Sequence, residues 1–162
     1  MSKTIAITGA TGYVGRFVVP HLRSGGFPTR CLARPASDRS GFPLGTEWVE
    51  GHIEDSHARK KLVSGAQAVV HLAYSHVPGR YRGGEGSDLA TWLHSNLSAT
   101  VDLLLDAHNA NVEQFIFLSS RAVFSYTEAG RILDESHPTS PDTHYGAYKA
   151  AVESLLRGFS AV

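Results

Sequence analysis

A tyrosine and a lysine near the end of the chain have the spacing of a proton-transfer pair. Tyr145 and Lys149 are four residues apart in a segment with helical character, so both side chains leave the same face of a helix. A phenol becomes a usable acid or base when nearby positive charge stabilises its anion. We therefore interpret Tyr145 as the proton-transfer group and Lys149 as that charge. The alternative is an ordinary exposed helix pair.

Two serines stand where ligands bind in open α/β sheets. Ser119 and Ser120 end an apolar run that reads as a fifth strand, and such sheets bind ligands at the carboxyl ends of their strands. A hydroxyl at Ser120 can hydrogen-bond a substrate carbonyl or alcohol while Tyr145 exchanges the proton. The alternative for Ser120 is a cap or turn residue at the end of the strand.

Three glycines lie between the first apolar run and the first helical segment, in the sequence Thr8–Gly15 with the spacing G-x-x-G-x-x-G. In such a turn the first glycine permits a tight bend, the second lets the backbone approach a pyrophosphate, and the third allows close packing of the helix. The alternative is a plain structural turn. The expected cofactor contacts in this turn are Gly9, Thr11, Gly12, Tyr13, Val14 and Gly15.

The end of the second predicted strand bears on the choice of cofactor. A site that prefers NAD usually has an acidic residue there to bind the ribose hydroxyls. The sequence has Arg34 instead, and a guanidinium can pair with a 2′-phosphate. We therefore expect NADP as the preferred cofactor and NAD as the alternative, in which Arg34, like Arg39, is a solvated loop residue. Arg16 is either a second phosphate contact or an exposed first-turn residue.

Apolar runs alternate with helical segments, separated by Gly, Pro, Ser or Asp. This alternation predicts an α/β fold with a doubly wound parallel sheet, Rossmann-like, in one domain over residues 1–162. Leucines and Val101 at three- and four-residue steps from Leu89 to Leu105 predict the buried stripe of a long helix. The predicted strands are Thr4–Thr8, Thr29–Ala33, Glu47–Glu50, Ala68–Leu72 and Gln114–Ser119, and the helices are Gly12–Ser24, Ser56–Ser64, Asp88–Asn109 and Thr143–Phe159.

Composition limits the kinds of partner. Fifteen basic residues balance fifteen acidic ones among 162, so no global field favours nucleic acid or an acidic membrane, and a small-molecule substrate is expected. Cys31 is the sole cysteine, and the chain has neither a signal-peptide pattern nor an apolar run long enough to span a membrane, which favours a cytoplasmic protein. The nine histidines form no metal-ligand spacing, and His71 is interpreted as a core residue.

These motifs together resemble the extended short-chain dehydrogenases/reductases of the NAD-dependent epimerase/dehydratase type. The run Val69–Ala73 is similar to the family's fourth strand, Phe115–Phe124 to its fifth strand and the following turn, and Tyr145–Lys149 with Glu153 to its catalytic helix. The resemblance implies that Ser120, Tyr145 and Lys149 are catalytic. It also implies cofactor contacts at Ile53, Leu72, Ala73, Asn96, Tyr145 and Lys149.

The sequence departs from the family pattern at several places. His52 stands where the family commonly has an aspartate for adenine recognition, and Phe124 and Ser125 replace a tyrosine and a glycine. Arg80, Tyr81 and Arg82, after the fourth strand, are either a grip for a charged substrate group or a surface loop. Family members continue past the catalytic helix, so the resemblance implies a Rossmann-like domain lacking the C-terminal substrate region.

The expected activity is NAD(P)-dependent oxidoreduction, epimerisation or dehydration at a secondary alcohol or carbonyl, with a nucleotide sugar as one candidate substrate. The alternative is a non-catalytic dinucleotide-binding module or a fragment of such an enzyme. Without a further strand, Phe115–Phe117 would lie on an uncovered sheet edge that invites a homodimer or a partner strand.

Overall fold

The structure is a computed structural model that describes residues 4–76, 88–124 and 132–160. Its strands confirm five predicted strands, the first three with the predicted bounds. The fourth begins two residues earlier than predicted, and the fourth and fifth end one and two residues earlier. The strands are β1 (Thr4–Thr8), β2 (Thr29–Ala33), β3 (Glu47–Glu50), β4 (Ala66–His71) and β5 (Gln114–Phe117).

The helices also follow the prediction, to within one residue at most ends and with two larger differences. The first helix begins at Gly15 rather than Gly12, because residues before it form a turn closed by a bond from the Gly12 N–H to the Gly9 carbonyl. The long predicted helix is divided by a π-helical turn, His94–Ser98. The α-helices are α1 (Gly15–Ser24), α2 (Ser56–Val63), α3 (Leu89–Leu93), α4 (Ala99–Asn109) and α5 (His144–Ser160), and a 3₁₀ turn covers Arg121–Val123.

The sheet has five parallel strands in the order β3-β2-β1-β4-β5. The chain moves outward from β1 through β2 to β3 and then returns to the other side of β1. The carboxyl ends of β1 and β4 therefore form the point where the strand order reverses, which is where open α/β sheets bind ligands. The doubly wound, Rossmann-like fold predicted from the sequence is confirmed.

Alternating strand residues bury the two faces of this sheet. On one face, Ala6 and Val69 join Leu62 of α2 and Leu103 of α4 in one apolar cluster. On the other face, Ile7, Cys31 and Val70 join Val19 of α1. Helices cover both faces, which explains why most strands are apolar throughout rather than alternating.

The predicted leucine stripe of the long helix is only partly confirmed. Leu104 is buried, but Leu89 and Leu105 are exposed. The buried positions also include Trp92, Asn96 and Thr100. A π-helical turn adds a residue per turn, so a single helical period cannot hold across residues 94–98. The buried face also contains polar side chains with hydrogen-bond partners, which a count of leucines cannot detect.

The chain divides into two compact units. One comprises the described parts of Met1–Tyr74 with Ala99–Leu118 and contains the whole sheet. The other comprises the described parts of Ser75–Ser98 and Ser119–Val162, with the 3₁₀ turn and α5. Among the described strands of the first unit, β5 pairs only with β4 and forms one edge of the sheet, and Ile116 is 50% exposed.

Candidate functional site

The glycine turn between β1 and α1 is shaped by two close backbone approaches. Gly9 has φ +69°, and a Cβ there would lie 2.6 Å from the Ala73 nitrogen. A Cβ on Gly15 would lie 2.2 Å from the carbonyl oxygen of Ala10. Neither contact leaves room for a side chain, so the predicted roles of Gly9 in the tight bend and Gly15 in close packing are confirmed.

Backbone donors are left over at this turn. Among the described residues, no hydrogen bond uses the N–H groups of Tyr13 or Val14, which directly precede the first residue of α1. A Cβ on Gly12 would lie 3.2 Å from the Gly9 carbonyl, so the turn is compact at that point as well. Unpaired N–H groups at the positive end of a helix dipole suit the pyrophosphate of a dinucleotide.

A buried chain of polar side chains lies beneath the turn. His71 at the end of β4 bonds the Thr8 hydroxyl through Nδ1 at 2.6 Å and the Thr100 hydroxyl through Nε2 at 2.8 Å. The Thr8 hydroxyl also accepts a bond from the Ala73 N–H at 3.3 Å. This chain joins the ends of β1 and β4, beside Gly9. The interpretation of His71 as a hydrogen-bonded core residue is confirmed, whereas the roles of Thr8 and Thr100 had no sequence signal.

Three arginines follow the glycine turn and β2. Arg34 is exposed, and no side-chain partner is described for it. Arg16 pairs with Asp38 at 3.4 Å, and Arg39 pairs with Glu50 at 2.8 Å. Arg34 is therefore the guanidinium of this group that has no described carboxylate to neutralise it.

The loop after β3 is held by a buried arginine that sequence reasoning missed. Arg59 of α2 is 5% exposed and donates a bond to the Ile53 carbonyl oxygen at 2.8 Å. Its other nitrogens pair with Asp106 and Asp102 of α4. An arginine in a short helical segment gives no signal of burial, because its partners are distant in sequence.

In the second unit, α5 carries the tyrosine and the lysine. Both lie in its first two turns, and the Lys149 ammonium nitrogen is 5.7 Å from the centroid of the Tyr145 ring and 5.1 Å from that of Tyr148. Lys149 is buried, and burial lowers its pKa to about 8. Trp92 meets Tyr148 edge-on. A charged lysine against two phenol rings is an arrangement that can support an anionic phenol.

Ser120 begins the 3₁₀ turn that packs on this helix. Its hydroxyl oxygen accepts a bond from the Ala122 N–H at 3.2 Å, which is the capping role that the sequence left open. An accepting hydroxyl still has a proton to donate. A Cβ on Gly146 would lie 2.0 Å from the Ala122 carbonyl oxygen, so the turn lies directly against the start of α5, next to Tyr145. The second unit thus brings Ser120, Tyr145 and Lys149 onto adjoining elements.

The Asn96 amide is occupied by the backbone. Its oxygen accepts a bond from the Ser75 N–H at 2.8 Å, and its nitrogen donates to the carbonyls of Ser75 and Trp92. Asn96 therefore fixes the segment after β4 from within the π-helical turn. A cofactor contact by Asn96 stays a prediction.

Several other predicted features can be located or set aside. Arg80, Tyr81, Arg82 and Ser125 lie outside the described residues. Within the described ranges no cluster of His, Cys, Asp or Glu could hold a metal ion. No helix in the described part of the chain is both long and apolar enough to cross a membrane.

Comparison with known sequences places the chain in a family. The sequence model of the NAD dependent epimerase/dehydratase family matches residues 5–161. A UDP-glucose 4-epimerase of Streptomyces lividans is 31% identical over 99% of this chain and 49% of its own length. A NAD-dependent glucose-6-phosphate dehydrogenase of Haloferax volcanii is 30% identical over 97% of this chain and 63% of its own length.

Solved structures show the same fold. A short-chain dehydrogenase/reductase superfamily protein from Agrobacterium tumefaciens with bound NAD has a TM-score of 0.79 and 33% identity, over 95% of this chain and 44% of that one. The UDP-glucose 4-epimerase of Thermus thermophilus in complex with NAD has a TM-score of 0.86 at 22% identity, over 98% and 51%. The second likeness is one of fold. The chain spans about half the length of the curated relatives that it matches. With the match covering nearly the whole chain, it belongs to the NAD-dependent epimerase/dehydratase family.

Proposed function

We propose that residues 1–162 form a dinucleotide-binding domain that serves NAD(P)-dependent oxidoreduction, epimerisation or dehydration at a secondary alcohol or carbonyl. The observation that carries the proposal is the glycine turn, where the N–H groups of Tyr13 and Val14 have no described partner and the backbone at Gly9 and Gly15 leaves no room for side chains. These donors suit the two phosphates of a dinucleotide. The nicotinamide ring, when bound, would accept or donate the hydride.

The second unit supplies the proton chemistry. In the oxidation direction the Ser120 hydroxyl donates a hydrogen bond to the substrate oxygen, and the Tyr145 phenolate takes the hydroxyl proton as the hydride leaves carbon. The ammonium of Lys149, 5.7 Å from the Tyr145 ring centroid, stabilises the phenolate. In the reduction direction the Tyr145 phenol returns the proton to the carbonyl oxygen. The capping role of Ser120 leaves its proton available for this purpose.

We propose NADP as the preferred cofactor. Arg34 follows the last residue of β2 and is exposed, whereas Arg16 and Arg39 already have carboxylate partners. A guanidinium without a carboxylate partner can bind a 2′-phosphate in the forked geometry that phosphates favour. The names of the Haloferax volcanii dehydrogenase and of the two solved structures described above mention NAD, so NAD is the alternative.

A nucleotide sugar is the proposed substrate class. The support is the recurrence of UDP-glucose 4-epimerases among the relatives, in Streptomyces lividans and Azospirillum brasilense. The alternative to an active enzyme is a module that binds the dinucleotide without turnover. Binding of the cofactor without exchange of hydride with any UDP-hexose would favour that module.

A pair of glycine-to-aspartate variants tests where the dinucleotide binds. Gly12→Asp puts a carboxylate into the turn, where it repels the phosphates, and should weaken NADPH and NADH at least tenfold. Gly65→Asp is the matched control. Gly65 directly precedes β4, so it lies at the amino-terminal ends of the strands, whereas the glycine turn lies at their carboxyl ends. A Cβ on Gly65 meets nothing within 4 Å. Its φ of +64° is one that aspartate tolerates. Equal binding by the two variants would contradict the proposal.

Arg34→Ala tests the cofactor choice. It should lower the affinity for NADPH about tenfold and leave that for NADH nearly unchanged, because only NADPH has the 2′-phosphate. Arg23→Ala is the control, since Arg23 is held by the Leu44 carbonyl at 3.1 Å. If Arg34→Ala lowered the affinities for NADPH and NADH equally, the proposal of NADP as the preferred cofactor would be wrong.

A further inference from the structure

We propose that Arg59 is a positioning residue for adenine: it holds the loop Gly51–Asp55, which follows β3, in the form that recognises the adenine amino edge. The inference rests on the proposed dinucleotide site and names a residue that acts there through another group. Its basis is a buried guanidinium that ties the backbone of this loop to α4.

The guanidinium of Arg59 is used on three sides. Nε pairs with Asp106 at 2.8 Å, one terminal nitrogen pairs with Asp102 at 3.1 Å, and the other donates to the Ile53 carbonyl oxygen at 2.8 Å. The Asp106 side chain is 12% exposed and that of Asp102 is 50% exposed. A planar fork with all its edges occupied has one orientation, so the Ile53 carbonyl is fixed relative to α4.

The ends of the loop are fixed by other contacts. The Gly51 N–H donates to the Ala33 carbonyl at the end of β2, and a Cβ on Gly51 would lie 2.6 Å from the Ala58 Cβ. At the other end, Asp55 caps α2 by accepting from the His57 N–H at 2.9 Å. Arg59 holds the middle of the loop, where Ile53 packs on the apolar cluster shared by α2 and α4. The bend therefore depends on α4 as well as on its own flanking elements.

The loop lies where the adenosine half of a dinucleotide is expected. The loop follows the carboxyl end of β3. This strand belongs to the half of the sheet formed by β1, β2 and β3, and the glycine turn follows the carboxyl end of β1. His52 is exposed at its tip. The loop contains backbone carbonyls that can accept from the 6-amino group of adenine, provided that their position is fixed. Arg59 supplies that restraint.

The test compares NADH with its deamino analogue, in which hypoxanthine replaces adenine and the 6-amino group is absent. Arg59→Lys keeps the positive charge but cannot reach three partners at once. The wild type should prefer NADH, and Arg59→Lys should lower the affinity for NADH about tenfold and that for the deamino analogue less than twofold. A residue needed only for folding would weaken both ligands alike.

Two further variants complete the experiment. Asp102→Asn leaves the bonds from Arg59 to Ile53 and Asp106 in place and should keep the wild-type preference. The double variant Arg59→Gln, Asp106→Asn removes the bond to Ile53 without leaving a buried charge unpaired, and it should lose the preference as Arg59→Lys does. An unchanged preference in the Arg59 variants, or a wild type that binds both dinucleotides equally, would overturn the inference. A wild type that binds neither of these ligands nor NADPH would instead refute the dinucleotide site itself.

Discussion

The Ser119 hydroxyl donates a hydrogen bond to the Glu153 carboxylate, across the second unit from the end of the β5 segment to the third turn of α5. Glu153 follows Lys149 by one helical turn, and Ser119 directly precedes Ser120. This bond and the contact of Gly146 with the Ala122 carbonyl hold the serine segment, Ser119–Ala122, against α5 at two places. The packing of this segment on α5 therefore sets the position of Ser120 relative to Tyr145.

Removing the Glu153 carboxylate should loosen this attachment. Glu153→Ala should lower the free energy of unfolding by about 2 kcal/mol, the range of a hydrogen bond to a charged group, and Glu153→Gln should lose less than half of that because it keeps an acceptor. Urea unfolding measures both. Arg157→Ala is the control: Arg157 is 3.7 Å from Glu153 on the surface, a pair worth under about 0.5 kcal/mol. A loss in Glu153→Ala no larger than that in Arg157→Ala would show that the bond contributes nothing.

A methyl group at Gly146 should push α5 away from the serine segment. A Cβ there would lie 2.0 Å from the Ala122 carbonyl oxygen, so Gly146→Ala should cost about 2 kcal/mol, as overpacking does. Gly158→Ala, in the same helix with nothing within 4 Å, should stabilise the chain by up to about 1 kcal/mol. Thermal unfolding of the two variants gives the comparison, and the same sign of change in both would refute the close contact.

Burial of Lys149 should make stability depend on pH. Its pKa falls from 10.5 to about 8 in the folded chain, so between these values the unfolded chain binds more protons and stability rises with pH. Below about pH 8 the burial of the charge costs about 3 kcal/mol. Lys149→Met should therefore be more stable than the wild type at pH 7, by about 1 to 3 kcal/mol, and this advantage should shrink towards pH 10.5. Lys60→Met, at an exposed position of α2, should show no such trend. If the difference in unfolding free energy between Lys149→Met and the wild type did not change with pH, burial would not lower the pKa of Lys149 as expected.

Cys31 should be unreactive in the folded chain. Burial raises the pKa of its thiol to about 12, and the side chain is fully buried in β2. Because the thiolate is the reactive form, a disulfide reagent at pH 8 should modify it only as fast as the chain opens. Addition of urea should make the reaction immediate, and Cys31→Ser should give no signal in either state. Fast modification without urea would show that β2 is accessible.

The sheet and the glycine turn could be predicted because their signals are local. Short apolar strands between turn residues identify β1 to β5, and the three glycines of the turn stand at a fixed spacing between β1 and α1. The spacing of Tyr145 and Lys149 likewise needs only one helix.

The missed features depend on contacts between distant residues. Arg59 reaches Asp106 over 47 positions, and Thr8 reaches His71 over 63. The π-helical turn at His94–Ser98 changes the helical phase, so the buried positions include Asn96 and Thr100, whereas Leu105 is exposed. Hydrophobic periodicity cannot identify a polar residue that is buried because it forms a hydrogen bond or an ion pair with a distant residue.

Binding of a dinucleotide to the wild-type chain decides whether the glycine turn forms a cofactor site. NADPH and NADH should be titrated separately, with nicotinamide fluorescence as the signal and circular dichroism as the check that the chain is folded. We predict saturable binding, tighter for NADPH because of Arg34. A folded chain that gives no saturable signal with either dinucleotide would contradict the proposed dinucleotide site.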